Sequence, residues 1–209
     1  MAEWTPPEGH GRRWILACIA GLAIGAPVGA IWTVLAHGGG GSAAVSIQAL
    51  AGAVAGGALG AAQAAVLRRA YPGLPVPAWI LASAAAGFVV GLGARLVFRL
   101  LMAYTVDISI PIPLLVILGA TVKGVLAGLC FGWAQGRVLD TVTSDRAGWM
   151  RVMMVGWLLG TMIGSMRWLL DGSATDPASV ILGAVAGGAV EGAALGLVSA
   201  GAFRFMPPR

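Results

Sequence analysis

Away from their cytoplasmic ends, the long apolar stretches of this sequence hold five charged residues: Arg95, Arg99, Lys123, Arg167 and Glu191. A charged side chain at mid-membrane costs at least about 2.5–3.5 kcal/mol even on permissive scales, so such residues turn toward a bundle interior or a wet cavity. Their spacing points the same way. Gly87, Gly91, Arg95 and Arg99 follow one another at four-residue intervals, as do Gly183, Gly187 and Glu191, while Lys123 stands four beyond Gly119 and Arg167 three beyond Gly164. Each charge extends a small-residue face, the face expected to meet other helices. Counted at about 1.5 Å per residue from the outer ends of their helices, Lys123 and Glu191 each lie roughly 20 Å deep, where they can pair. Arg95, Arg99 and Arg167 fall in the outer half, with Asp107 and Asp171 in the adjoining loops to offset part of their charge. The chemistry expected is an outward-facing basic cavity over a central Lys–Glu pair that serves as a gate or a proton-linked pair. The same residues also fit a structural role, with Lys123–Glu191 securing helix packing and Arg99 and Arg167 reaching outer headgroups.

Other chemistries find few residues to work with. An intramembrane hydrolase needs a nucleophile with a base, or paired acids, and Glu191 is the one carboxylate within the apolar stretches, while Ser83, Ser165 and Ser199 have no evident base. An enzyme is therefore not expected. The two cysteines, Cys18 and Cys130, lie in apolar segments and read as buried thiols. The two histidines, His10 in an N-terminal tail and His37 beside Gly38–Gly41, lack a partner at metal-ligand spacing, so neither a metal nor a cofactor is expected. The sequence pI is about 10.2. Its basic residues are scattered in ones and twos rather than clustered on one face, which argues against nucleic acid.

The elements that must carry these residues are transmembrane helices. Of 209 residues, 58% are hydrophobic and 10% charged, where a soluble domain has about a quarter charged, and glycine alone accounts for 33. Six apolar stretches are each long enough to span a bilayer: Trp14–Ala36, Ala43–Leu67, Pro77–Tyr104, Ile110–Leu139, Trp149–Leu170 and Ala178–Phe205. Residues 1–13 form a tail, and the whole of 1–209 reads as one integral membrane domain. Arg12 and Arg13, Arg68 and Arg69, Arg137, Arg146 and Arg151, and Arg204 and Arg209 fall at alternate ends of the stretches, whereas the opposite connections hold no Lys or Arg. By the positive-inside rule both termini are cytoplasmic. A cleaved twin-arginine signal beginning at Arg12-Arg13 is the alternative for the first stretch; its span length and its counterparts further along the chain favour a helix.

A repeat of about 65 to 70 residues divides the chain into three hairpins, approximately 14–69, 77–139 and 149–205. Their second helices align as Gly52-x3-Gly56-x3-Gly60-x2-Gln63, Gly124-x3-Gly128-x3-Gly132-x2-Gln135 and Gly188-x3-Gly192-x3-Gly196-x2-Ser199, while Trp14, Trp79 and Trp149 open the first helices. Glycine stripes let backbones approach closely and gain dispersion and weak Cα–H contacts, so they read as packing surfaces. Gln63 and Gln135, near the cytoplasmic ends of their helices, are expected to hydrogen-bond between helices, with polar support for a pathway as the alternative. The closing Gly-x3-Gly-x2-Gln-x3-Leu-Arg pattern, with Ala147-Gly148-Trp149 opening the next helix, resembles a bacterial group of uncharacterised multi-pass membrane proteins. A Trp commonly follows the Gln there, where this chain has Ala64 and Gly136.

The sequence thus leads to an all-α, six-helix multi-pass protein of the bacterial cytoplasmic membrane, in contact with membrane lipids and built of three glycine-rich hairpins. Its expected role is that of a small carrier, channel or binding protein for an anionic or amphipathic solute. The alternative is an accessory or assembly subunit of a larger membrane complex, or a homo-oligomer, held by its glycine faces and tryptophans.

Overall fold

The computed structural model describes residues 4–35, 42–105, 111–143, 145–170 and 176–209. The described residues form six helices: α1 (His10–Leu35), α2 (Ser42–Ala70), α3 (Val76–Thr105), α4 (Ile112–Leu139), α5 (Arg146–Leu170) and α6 (Pro177–Ala200), followed by a 3-10 turn at Gly201–Phe205. Five of them, α1 to α4 and α6, are long and apolar enough to cross a membrane. The remaining one, α5, is 25 residues long and carries Arg151 among its glycines and tryptophans, which makes it less apolar than its neighbours.

Local chemistry marks the helix ends. Asp176 caps α6 by accepting a 2.8 Å hydrogen bond from Ser179 N, with Pro177 in the first turn, where its missing N–H costs nothing. Asp145 Oδ1 accepts from Gly148 N at 2.9 Å at the start of α5, so that helix begins at Arg146, three residues ahead of the expected Trp149. Likewise, α1 begins at His10 rather than at Trp14. Gly9 adopts φ 69°, which an L side chain rarely tolerates, and its carbonyl accepts from Arg13 N. His10 therefore belongs to a helix and not to a tail, and it is buried edge-on against Phe203, ring centroids 4.7 Å apart. The last helix stops short of Phe205, because its end tightens into the 3-10 turn.

Each helix packs on its neighbours in sequence, and α6 returns to α1, so the six close into a ring. Glycines make the close contacts. Cβ atoms on Gly52 and Gly56 would run into the Gly87 and Ser83 carbonyls of α3. On Gly128 a Cβ would lie 2.6 Å from Met154 Cα of α5, and on Gly196 it would lie 2.8 Å from Ile15 Cα of α1. The ring exterior is apolar, with Ile24, Leu81, Leu182 and Leu197 each about two-thirds exposed, an apolar shell suited to lipid rather than water.

One end of the ring is sealed. Trp14, Trp79 and Trp149 have no exposed surface, and the ring of Trp149 stands 5.9 Å from that of Trp14 and 6.1 Å from that of Trp79. Phe203 from the 3-10 turn packs edge-on against Trp14 at 4.9 Å. Both chain ends close over this plug: Trp4 Nε1 donates to Phe203 O at 3.0 Å, Tyr71 OH to Met206 O at 2.7 Å, and Arg209 Nη1 to Asp140 O at 2.7 Å.

Candidate functional site

The half of the ring away from the Trp14–Trp79–Trp149 plug holds a cavity of about 500 Å³, walled by residues from all six helices. Its floor carries Phe131 of α4 and Trp157 of α5, whose rings lie 4.8 Å apart. Most of the wall is glycine, alanine and valine; Gln48, Lys123, Ser165 and Glu191 are its polar side chains among the described residues.

Lys123 and Glu191 meet across this space. The ammonium of Lys123 on α4 donates to Glu191 Oε1 on α6 at 3.0 Å, joining two helices that α5 separates in the ring. Small residues of α5 make this crossing feasible. A Cβ on Gly164 would sit 2.8 Å from Glu191 Cγ and 3.1 Å from its Oε1, and one on Gly160 would sit 3.0 Å from the Glu191 carbonyl oxygen. The carboxylate is thus tucked against bare backbone, its side chain 16% exposed, whereas that of Lys123 is 39% exposed.

The arginines are placed differently from the expected basic cavity. Arg95 is half-buried and Arg99 exposed, and neither lines the cavity. The physical reason is helical geometry: a four-residue step overshoots a turn by about 40°, so a stripe begun at Gly87 has rotated by about 120° at Arg99. Arg167 lies on α5, but its side chain, Asp107 and Asp171 fall outside the described residues. Among the described wall residues the charge is one cation balanced by one carboxylate.

One turn beneath Phe131 lies a buried polar layer. Gln135 Nε2 donates to Gln63 Oε1 and to Ser83 Oγ, both at 2.9 Å, and Gln63 Nε2 donates to Cys18 Sγ at 3.4 Å. This chain of contacts ties α1, α2, α3 and α4 together. Trp14 Nε1 donates to Ser199 Oγ at 2.7 Å and so adds α6. Reading single residues missed Ser83, Cys18 and Ser199 as members of this layer. The signal was present: Cys18 and Ser83 each stand four residues after the repeated Trp of their helix, Trp14 and Trp79, and Ser199 occupies the place of the two glutamines. Thr161 completes the α4–α5 seam, its Oγ1 3.0 Å from the Ala120 carbonyl and 2.8 Å from that of Trp157.

No protein-family model, curated protein or solved structure matches this chain. The geometry therefore carries the functional reading. A cavity of this size is typical of sites for small organic molecules, which combine apolar walls with a few placed polar groups. Below it, the glutamine layer and the tryptophan plug leave no open path along the axis among the described residues.

Proposed function

We propose that this chain is a non-enzymatic multi-pass membrane protein that holds a small amphipathic solute in its one-ended cavity, as a binding protein or carrier. The observation that carries this reading is the joint presence of an apolar 500 Å³ cavity, a charged pair on its wall and a sealed floor. A sealed floor favours a binding protein or an alternating carrier over a continuously open channel. Lys123 and Glu191 are the solute contacts in this reading, with Gln48 and Ser165 as further polar wall groups.

In the same reading all six helices span a bacterial cytoplasmic membrane, α5 being sheltered by α4 and α6. The sealed end is cytoplasmic. In support, Arg12, Arg13, Arg68, Arg69, Arg137, Arg204 and Arg209 all lie in the chain ends and helix ends that meet there. Three copies of one hairpin account for the convergence of Trp14, Trp79 and Trp149 on one plug and of Gln63, Gln135 and Ser199 on one layer.

The test is native mass spectrometry after gentle extraction from the host membrane. A monomer or small homo-oligomer carrying one defined small molecule, lost on Lys123→Met, supports the proposal. Stoichiometric foreign subunits with an empty cavity would replace it with an accessory role.

A further inference from the structure

Charge balance among the described residues of the cavity wall narrows the solute further, and this step rests on the solute-binding reading above. A lone lysine would invite an anion. Here the Glu191 carboxylate already lies 3.0 Å from the ammonium and cancels most of its field at longer range. An added anion would therefore bring one uncompensated charge into an apolar enclosure, where an unpaired charge is costly. An added cation would meet the same penalty, and the carboxylate it would approach is tucked against Gly164.

The wall nonetheless offers hydrogen-bond donors. An ammonium has three N–H groups, of which Glu191 Oε1 takes one, and the Lys123 side chain is the more exposed partner of the pair. Opposite it, α1 to α3 present small apolar surface such as Leu22, Ala26, Val90 and Ala94. The wall runs from Lys123 to Phe131 along α4 and from Val180 to Glu191 along α6, stretches of roughly 12 and 16 Å at 1.5 Å per residue. Both stretches fall well short of a hydrocarbon core about 30 Å thick, so the space suits a chain of medium length.

From these features we infer that the solute is an uncharged amphipath of medium length. Its polar end bears a hydrogen-bond acceptor, such as a carbonyl oxygen, that takes a second N–H of Lys123 while the ion pair stays intact.

The experiment uses the full chain in lipid nanodiscs and measures saturable binding, above that of empty nanodiscs, of four probes of equal chain length: 2-octanone, octane, octanoate and octyltrimethylammonium. The wild type is expected to bind 2-octanone roughly tenfold or more tighter than either ion, because each ion brings an uncompensated charge into the apolar wall. Glu191→Gln strips Lys123 of its counterion and is expected to reverse the order, so that octanoate binds roughly tenfold tighter than the ketone. Lys123→Met/Glu191→Leu, which removes both charges together, is expected to keep the fold and lose the selectivity for the ketone over octane. Wild-type preference for octanoate or for octyltrimethylammonium would overturn the inference and leave the binding reading standing. An unchanged order in Glu191→Gln would overturn it as well. If none of the probes binds saturably to well-folded protein, the solute-binding reading itself fails, and this inference with it.

Discussion

Trp14 Nε1 donates a 2.7 Å hydrogen bond to Ser199 Oγ across 185 residues of sequence, and this contact lies where the last helix closes onto the first. Both groups are fully buried, and Ser199 Oγ in turn lies 2.6 Å from the Leu195 carbonyl. The hydroxyl thus satisfies an indole N–H inside a plug that water does not reach. Ser199→Ala is expected to leave that N–H without an acceptor and to destabilise the protein by about 1–3 kcal/mol, the usual cost of an unsatisfied buried donor. Thermal unfolding in detergent, followed by helical circular dichroism, checks this, and a midpoint equal to wild type would count against the role assigned to Ser199.

Adjacent glycines on α2 make a matched pair for testing how the ring is held. A Cβ on Gly56 would collide with the Ser83 carbonyl and approach Gly87 Cα at 3.2 Å, whereas on Gly57 it would meet only Ala84 Cβ, at an ordinary 3.7 Å. Gly56→Ala should force α2 and α3 apart at a cost of about 1–3 kcal/mol or more. Gly57→Ala should be neutral, or stabilising by up to about 1 kcal/mol through helix propensity. Equal effects of the two substitutions would show that close backbone approach is not what holds α2 to α3.

For Lys123 and Glu191, a double-mutant cycle on stability separates the pair from its surroundings. Losing one partner leaves the other charge beside apolar wall, so Lys123→Met and Glu191→Leu should each destabilise, while the double change recovers much of the loss. A coupling of about 1–2 kcal/mol is expected, below the ~3–5 kcal/mol typical of fully buried pairs, because the lysine side chain is 39% exposed. Additive single effects would argue that the pair contributes little to holding α4 and α6 together.

At the sealed end, Tyr71 links stability to alkaline pH. Its hydroxyl is buried beneath the C-terminal segment and donates to Met206 O, and burial pushes its pKa up to about 12 from an ordinary 10. A raised pKa in the folded state means that the neutral form is favoured there. Its contribution is complete below about pH 10 and is lost as pH rises from about 10 through 12. Ultraviolet titration should find one of the two tyrosines ionising late, and Tyr71→Phe should remove that late step and flatten the alkaline loss of stability. A late step that survives Tyr71→Phe would assign it elsewhere.

Apolar length and spacing told much of this in advance. The six helices follow from stretches of the right length broken by proline, glycine and aspartate, and their ends moved by only a few residues where Asp145 and Gly9 supplied turns that periodicity does not register. Equal depth brought Lys123 and Glu191 to one level, because depth depends on counting along a helix. Burial of Gln63 and Gln135 likewise followed from their place on glycine-lined helices, and the structure joins the two directly.

Direction around each helix axis was decided only by tertiary packing. A four-residue stripe says that its residues share a surface, yet it rotates by about 40° per step, so Gly87 meets α2 while Arg99 is exposed and off the cavity wall. Pairing of helices was equally hidden: the glycines of α2, α4 and α6 each meet the helix that follows, and for α6 that helix is α1, at the far end of the chain. Ring closure is what separates a sealed tryptophan plug from an enclosed cavity. By themselves the residues determined a set of apolar helices with charges at set depths, because those properties are local to each helix. Which charges face one another and which enclose a solute-sized space depends on the rotation and order of all six helices at once, and contacts between residues far apart in the chain settle that.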